Sequence, residues 1–198
     1  MADQLKVAFP RLFGLIEMSE SGTAIGPLAL LLKDVELATD QKFSMTIHPF
    51  KRALRQVETG RADIGVFMRT PGRDKIATPL LKLGETRLLA ISLKGQSLKP
   101  PNDFNKLSVA SLRGGIKVPD FILSQSVSTI EFSNPVQGLK ILHAGRFDAM
   151  IVPDFLLVGS LESLELSAVI LSKPYVINNR SIWAYGSTIS AYVYSFPK

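Results

Sequence analysis

The sequence predicts an α/β protein built as two Rossmann-like lobes with mixed, mostly parallel sheets, joined by a two-strand hinge. Three observations predict it. One supersecondary unit occurs twice, at residues 49–67 and 135–152; each copy closes a β, α, β, α, β order; and the 198 residues, 46% of them hydrophobic, suffice for two small packed lobes.

Each copy opens on a proline, Pro49 or Pro135, whose missing N–H is no loss in a first helical turn. Asn134 offers an N-cap to the second. Apolar residues follow at helical spacing: Phe50, Leu54 and Val57 in one copy, Val136, Leu139 and Leu142 in the other. The helices stop at Gly60 and Gly145, 85 residues apart, where a left-handed backbone is cheapest for glycine. Gly60-Arg61-Ala62-Asp63 then runs into the strand Ile64-Gly65-Val66-Phe67, and Gly145-Arg146-Phe147-Asp148 into Ala149-Met150-Ile151-Val152. A single unit of this kind is common, whereas a repeat at fixed offset predicts duplicated lobes. Asp63 and Asp148 occupy equivalent helix-to-strand junctions, so each is expected to stabilise a turn rather than to form an acid/base pair.

Upstream, residues 5–9 and 107–112 read as first strands, and 43–47 and 129–132 as second strands. A helix starting at Pro27 places Leu28, Leu31, Leu32 and Val35 on one face, and a shorter one is expected over 120–125. Residues 96–103, containing Pro100-Pro101, connect the halves after a strand at 88–93. A second crossing falls at 174–179, with 181–185 as a returning strand. Lobe 1 is therefore expected to comprise 1–91 and 178–198, and lobe 2 to comprise 92–177.

The composition narrows the chemistry. With no Cys, thiol catalysis, disulfides and thiolate zinc sites are excluded, and His48 and His143 alone remain as imidazole ligands, so no metal or other cofactor is expected. Apolar runs such as Leu28-Ala29-Leu30-Leu31-Leu32 fall far short of the roughly twenty residues that span a bilayer. Met1-Ala2-Asp3-Gln4 leads straight into a strand, so an exported protein would be met here in mature form, its leader already removed. The net charge is +6, and residues 51–75 carry seven basic side chains against three acidic ones, a bias that concentrates an anionic solute. No helix-turn-helix, stacking motif or zinc finger accompanies these residues, so nucleic acid is not an expected partner.

The order of motifs from Arg52 through Gly60-Arg61-Ala62-Asp63 to Thr70-Pro71-Gly72-Arg73 and Thr78-Pro79-Leu80, with its counterpart from Gly138 to Gly145-Arg146-Phe147-Asp148, resembles the type 2 periplasmic solute-binding proteins of ABC importers, and most closely their amino-acid-binding branch. The resemblance implies the periplasmic binding protein-like II fold, closing on a small anionic or zwitterionic solute. It implies that Arg73, from the Thr-x-x-Arg turn, holds the ligand carboxylate, with a Thr70 hydroxyl beside it and Met68 and Arg69 lining the same strand end. A guanidinium presents a planar fork to both carboxylate oxygens, which suits that role; the alternative is an exposed turn residue or an ion pair with Asp74.

In the second lobe the resemblance points to Gly114 and Gly115, where backbone N–H groups at a helix start would meet an anion. Gly115 stands where many relatives carry a hydroxyl, and a simple tight turn is the alternative. Asp154 is the candidate acceptor for a ligand ammonium, one residue out of register because of Pro153, or else a cap for a helix beginning at Phe155. An aromatic from the first strand-to-helix connection, Phe13 or Phe9, is expected to cover the solute.

The function implied is that of a monomeric periplasmic receptor which captures a carboxylate-bearing solute such as an amino acid in an interlobe cleft, delivers it to an ABC permease in the membrane and catalyses nothing. Alternatives on the same fold are the ligand-sensing domain of a LysR-type regulator or receptor kinase, and a dehydratase resembling cyclohexadienyl dehydratase. The dehydratase would need an acid or base aimed at the substrate, whereas His48 precedes Pro49 at a strand end and His143 lies in the last turn of a helix, where a cation suits the dipole. Residues 187–198 read as a short polar and aromatic tail in place of the helices that close many relatives.

Overall fold

The computed structural model describes residues 4–12, 15–98, 103–115 and 117–190. Phe13, Pro100, Pro101, Tyr192 and Tyr194 lie outside the described residues, as do the expectations placed on them. The chain divides into two units, residues 1–85 with 180–198 and residues 86–179. The sequence reading placed these crossings at 91/92 and 177/178. Each crossing lies inside one unbroken strand.

The first unit contains β1 (Leu5–Pro10), a small hairpin of β2 (Glu17–Met18) and β3 (Ala24–Ile25), α1 (Pro27–Thr39), β4 (Phe43–His48), α2 (Phe50–Glu58), β5 (Ile64–Met68), α3 (Pro71–Asp74) and the start of β6 (Ala77–Ile91). The second contains the end of β6, then β7 (Ser108–Leu112), α4 (Asp120–Leu123), β8 (Ser128–Phe132), α5 (Pro135–His143), β9 (Ala149–Pro153), α6 (Asp154–Ser163), a 3-10 turn at Ala168–Ile170 and the start of β10 (Tyr175–Ser187). β10 then returns to the first unit.

Within each unit the strands are ordered alike. In the first, β1 lies between β4 and β5, all parallel, with Val7 opposite Met45 and Ala8 opposite Gly65, and β10 pairs antiparallel with β5. In the second, β7 lies between β8 and β9, all parallel, and β6 pairs antiparallel with β9. The sheets are mixed and mostly parallel, with helical crossovers between the parallel strands.

Every α-helix among the described residues begins with proline: Pro27, Pro71 and Pro135 occupy the first turn, and Pro49, Pro119 and Pro153 the N-cap. Proline sacrifices only an N–H that has no intrahelical partner there, and its fixed φ lowers the entropic cost of starting the turn. Of their expected apolar stripes, α2 buries Phe50 and Val57 and α5 buries Leu139 and Leu142, while Leu54 and Val136 are half-buried. α1 differs: of its expected face, Leu28, Leu32 and Val35 are half-buried, while Leu31 is 50% exposed. Phe9 is buried in the core of the first unit.

The two junction aspartates do the same work in their own units. Asp63 accepts from the Lys6 N–H at 2.8 Å and from the Ser190 hydroxyl at 2.5 Å, while its own N–H donates to Lys6 O. Asp148 accepts from the Ser108 N–H and hydroxyl at 2.7 and 2.6 Å, and its N–H donates to Ser108 O at 3.0 Å. Each carboxylate fastens its strand to the central strand, β5 to β1 and β9 to β7. Among the described residues, no helix is long and apolar enough to cross a membrane.

Candidate functional site

β5 ends at Met68, and the chain turns at once into the single-turn helix α3. Thr70 is the N-cap: its backbone is extended, and its hydroxyl oxygen accepts from the Arg73 N–H at 3.3 Å. Pro71 sets the first helical φ. A hydroxyl that accepts one bond can still donate another, so Thr70 keeps a donor beside the turn.

This local geometry buries Arg73, which is only 5% exposed. Its Nη1 donates to the Met68 carbonyl at 2.5 Å, and its guanidinium lies 4.9 Å from the Phe50 ring centroid. Phe50 stands edge-on to Phe67 at 5.7 Å, and Phe67 packs against Tyr185 at 6.2 Å. The Tyr185 hydroxyl donates to Asp74, the neighbour of Arg73, at 2.7 Å. α2, β5, α3 and β10 thus close a ring of contacts around one guanidinium. Burial, and then the like charge of Arg180, lower the Arg73 pKa to about 10. The group stays charged at neutral pH, and with less water around it the charge acts more strongly on an incoming anion.

Asp74 accepts from Tyr185 through one oxygen and from Arg69 Nε at 3.0 Å through the other. Burial raises its pKa, but these hydrogen bonds outweigh burial and hold the carboxyl below its ordinary value. Tyr185 is pushed in the opposite direction, first by burial and then by its bond to Asp74. Arg69 also lies 4.7 Å from the Trp183 ring centroid, so Asp74 and Trp183 both engage it. Met68 contributes its carbonyl, while its side chain is buried.

In the second unit, Gly114 adopts φ +72°, and the Gly115 N–H donates back to Leu112 O at 2.8 Å. A Cβ on Gly115 would lie 2.9 Å from that same oxygen, which explains the missing hydroxyl side chain. The pair forms a tight turn, and α4 starts only at Asp120. Asp154 is the first residue of α6; its carboxylate accepts from Thr86 Oγ1 at 2.7 Å, Arg87 Nε at 2.9 Å and the Phe155 N–H at 2.8 Å. Burial raises its pKa, and the bonds from Thr86 and Arg87 more than offset that, so the carboxyl lies below its ordinary value.

The structure therefore gathers Met68, Arg69, Thr70 and Arg73 at one strand end, and adds Phe50, Asp74 and Tyr185, which the sequence reading did not single out as site residues. The available signal was spacing along β10: Trp183 and Tyr185 alternate on one face, as residues packing onto β5 must. Among the described residues, the buried side-chain atoms without a hydrogen-bond partner are Asn178 Oδ1 and Arg180 Nε.

No family model and no curated protein matches the chain in sequence. Solved structures match it closely in fold. An ancestral arginine-binding protein bound to arginine superposes with a TM-score of 0.80 at 16% identity, over 96% of this chain and 87% of that one. A histidine kinase sensor domain with similarity to periplasmic binding proteins gives 0.80 at 14% identity, over 96% and 85%. The substrate-binding protein of an amino acid ABC transporter gives 0.76 at 14% identity, over 96% and 88%. At such identities the likeness is one of fold, and the fold of this chain is the periplasmic binding protein-like II fold of the type 2 solute-binding proteins.

Proposed function

We propose that the chain is a solute-binding protein in which Arg73 holds the carboxylate of a small solute such as an amino acid, with the Thr70 hydroxyl beside it. The observation that carries this reading is the burial of Arg73 at the end of β5, on a turn that Thr70 caps and an aromatic face that Phe50 supplies. A desolvated, preorganised guanidinium offers a carboxylate two parallel charge-assisted bonds and needs little further ordering. Arg69 and Asp154 are each engaged within their own units, by Asp74 and by Thr86 and Arg87. On this reading the protein is a periplasmic monomer that delivers its solute to an ABC permease and performs no chemistry. The likeness in fold to an arginine-binding protein and to the substrate-binding protein of an amino acid ABC transporter supports it.

A second reading has its own support, because the sensor domain of a histidine kinase matches the fold as well as the arginine-binding protein does. It shares the binding step and differs in what reads the bound state. A thermal-shift screen of amino acids and small carboxylates tests the shared step. A ligand present at about one hundred times its Kd stabilises the native state by roughly 2.7 kcal/mol, and its methyl ester, which has lost the carboxylate charge, should give no shift. An ester that shifts the melting temperature as much as the free acid would contradict the role of Arg73.

A further inference from the structure

The register of β10 against β5 brings a second cation to the Arg73 turn. Ile182 lies opposite Met68, and Ser181 O accepts from the Arg69 N–H at 2.8 Å, so Arg180 is the next residue along, beside Thr70. Its Nε is buried with no hydrogen-bond partner, and among the described residues Arg180 forms no ion pair. An orphaned buried donor on a cation costs stability. Arg180 also lies close enough for its charge to bear on Arg73. Among the described residues no acid pairs with it, and the acid of the turn, Asp74, is held by Tyr185 and Arg69. Two guanidiniums at one turn, one with an unsatisfied buried nitrogen, are a local cost that a bound anion would relieve.

Resting on the reading of Arg73 as the carboxylate anchor, we infer that Arg180 is a second cationic contact of the same site and that the ligand is a small acid bearing two carboxylates. One carboxylate takes Arg73 and the other takes Arg180. A monocarboxylate leaves the Arg180 nitrogen as it stands, and a cationic side chain such as that of arginine meets like charge there.

Calorimetric titration of the full chain with L-glutamate, L-aspartate, succinate and glutarate, against L-glutamine and L-arginine, tests this. At least one dicarboxylate should bind about tenfold or more tightly than L-glutamine and L-arginine. Comparing L-glutamate with glutarate shows whether the preferred diacid also carries an ammonium. Arg180→Gln should erase the dicarboxylate margin over L-glutamine, and Arg180→Lys should restore part of it. Without ligand, Arg180→Gln should melt no lower than the parent, because the residue it replaces carries an orphaned donor. Preference for L-glutamine or L-arginine overturns the inference, and so does an Arg180→Gln that weakens all ligands alike or none. If Arg73→Gln abolishes binding while Arg180→Gln keeps the preference, this inference alone fails. If Arg73→Gln leaves binding intact, the anchor reading fails, and if none of the six probes binds, both fail.

Discussion

Arg73 owes its position to residues that each have a separate reason to be there. Thr70 caps the turn, Pro71 fixes its first φ, Met68 supplies a carbonyl, and Phe50 offers a ring face. The Thr-x-x-Arg turn was legible through the resemblance to the solute-binding proteins, while the cap that Thr70 makes was not read from the sequence. Tyr185 was not, because it comes from a strand more than a hundred residues later and its role appears only when β10 pairs with β5. Two predictions belong to single groups. The Arg73 pKa is lowered to about 10, so affinity for a carboxylate lacking an ammonium should be flat from pH 7 to 9 and fall as the pH passes about 10, as calorimetry would show. The sign for folding is opposite. Between the folded and unfolded pKa values the unfolded chain binds more protons, so the contribution of Arg73 to stability rises with pH there. Tyr185→Phe removes a buried bond to an ionised carboxylate and should cost about 2 kcal/mol in urea unfolding at neutral pH. Because the Asp74 pKa is depressed, the stability tied to that carboxylate is present above its unfolded pKa and is lost as pH falls through the folded one. The deficit of Tyr185→Phe should therefore shrink in acid, and a constant deficit would mean that Tyr185 acts through packing alone.

At the scale of elements, the starts of α1, α2 and α5 were readable, since Pro27, Pro49 and Pro135 stand where the backbone can spare an N–H, whereas the prolines that start α3, α4 and α6 were not read as helix starts. The stripe of α1 was less readable than its start. Leu28, Leu31, Leu32 and Val35 fit one face by spacing, yet Leu31 is half exposed, because spacing fixes which residues share a face and not how far a neighbour covers it. The repeated Gly-Arg-x-Asp junction was readable both as a repeat and as a turn device, and its carboxylates tie β5 to β1 and β9 to β7. Asp148→Ala strips both bonds from Ser108 and leaves its N–H to find a new partner, which should cost about 1–3 kcal/mol in chemical denaturation. Asp63→Ala should cost a similar amount through Lys6. A variant of either aspartate as stable as the parent would show that the junction needs no carboxylate. Gly65→Ala should destabilise as well, by about 1–3 kcal/mol, since the added Cβ would lie 2.7 Å from Val57 Cγ2 and 2.5 Å from the Phe67 ring; a change in unfolding midpoint near zero would contradict that packing.

For the whole molecule, the duplicated β, α, β, α, β order was enough to predict the architecture, because each unit obeys the same rule of parallel strands linked by helices. The unit boundaries fall within β6 and β10, and only contacts distant in sequence show which residues belong together. The side chains around Arg73 are gathered from α2, β5, α3 and β10, and so no single stretch of sequence encodes the candidate site. The central claim is that a desolvated Arg73 recognises a carboxylate through its fork, and Arg73→Lys separates fork from charge. Calorimetric titration of the best carboxylate from the screen into parent and Arg73→Lys, with native folding confirmed by circular dichroism, tests it most directly. A loss of about tenfold or more in the lysine variant is the predicted result, and unchanged affinity would contradict it.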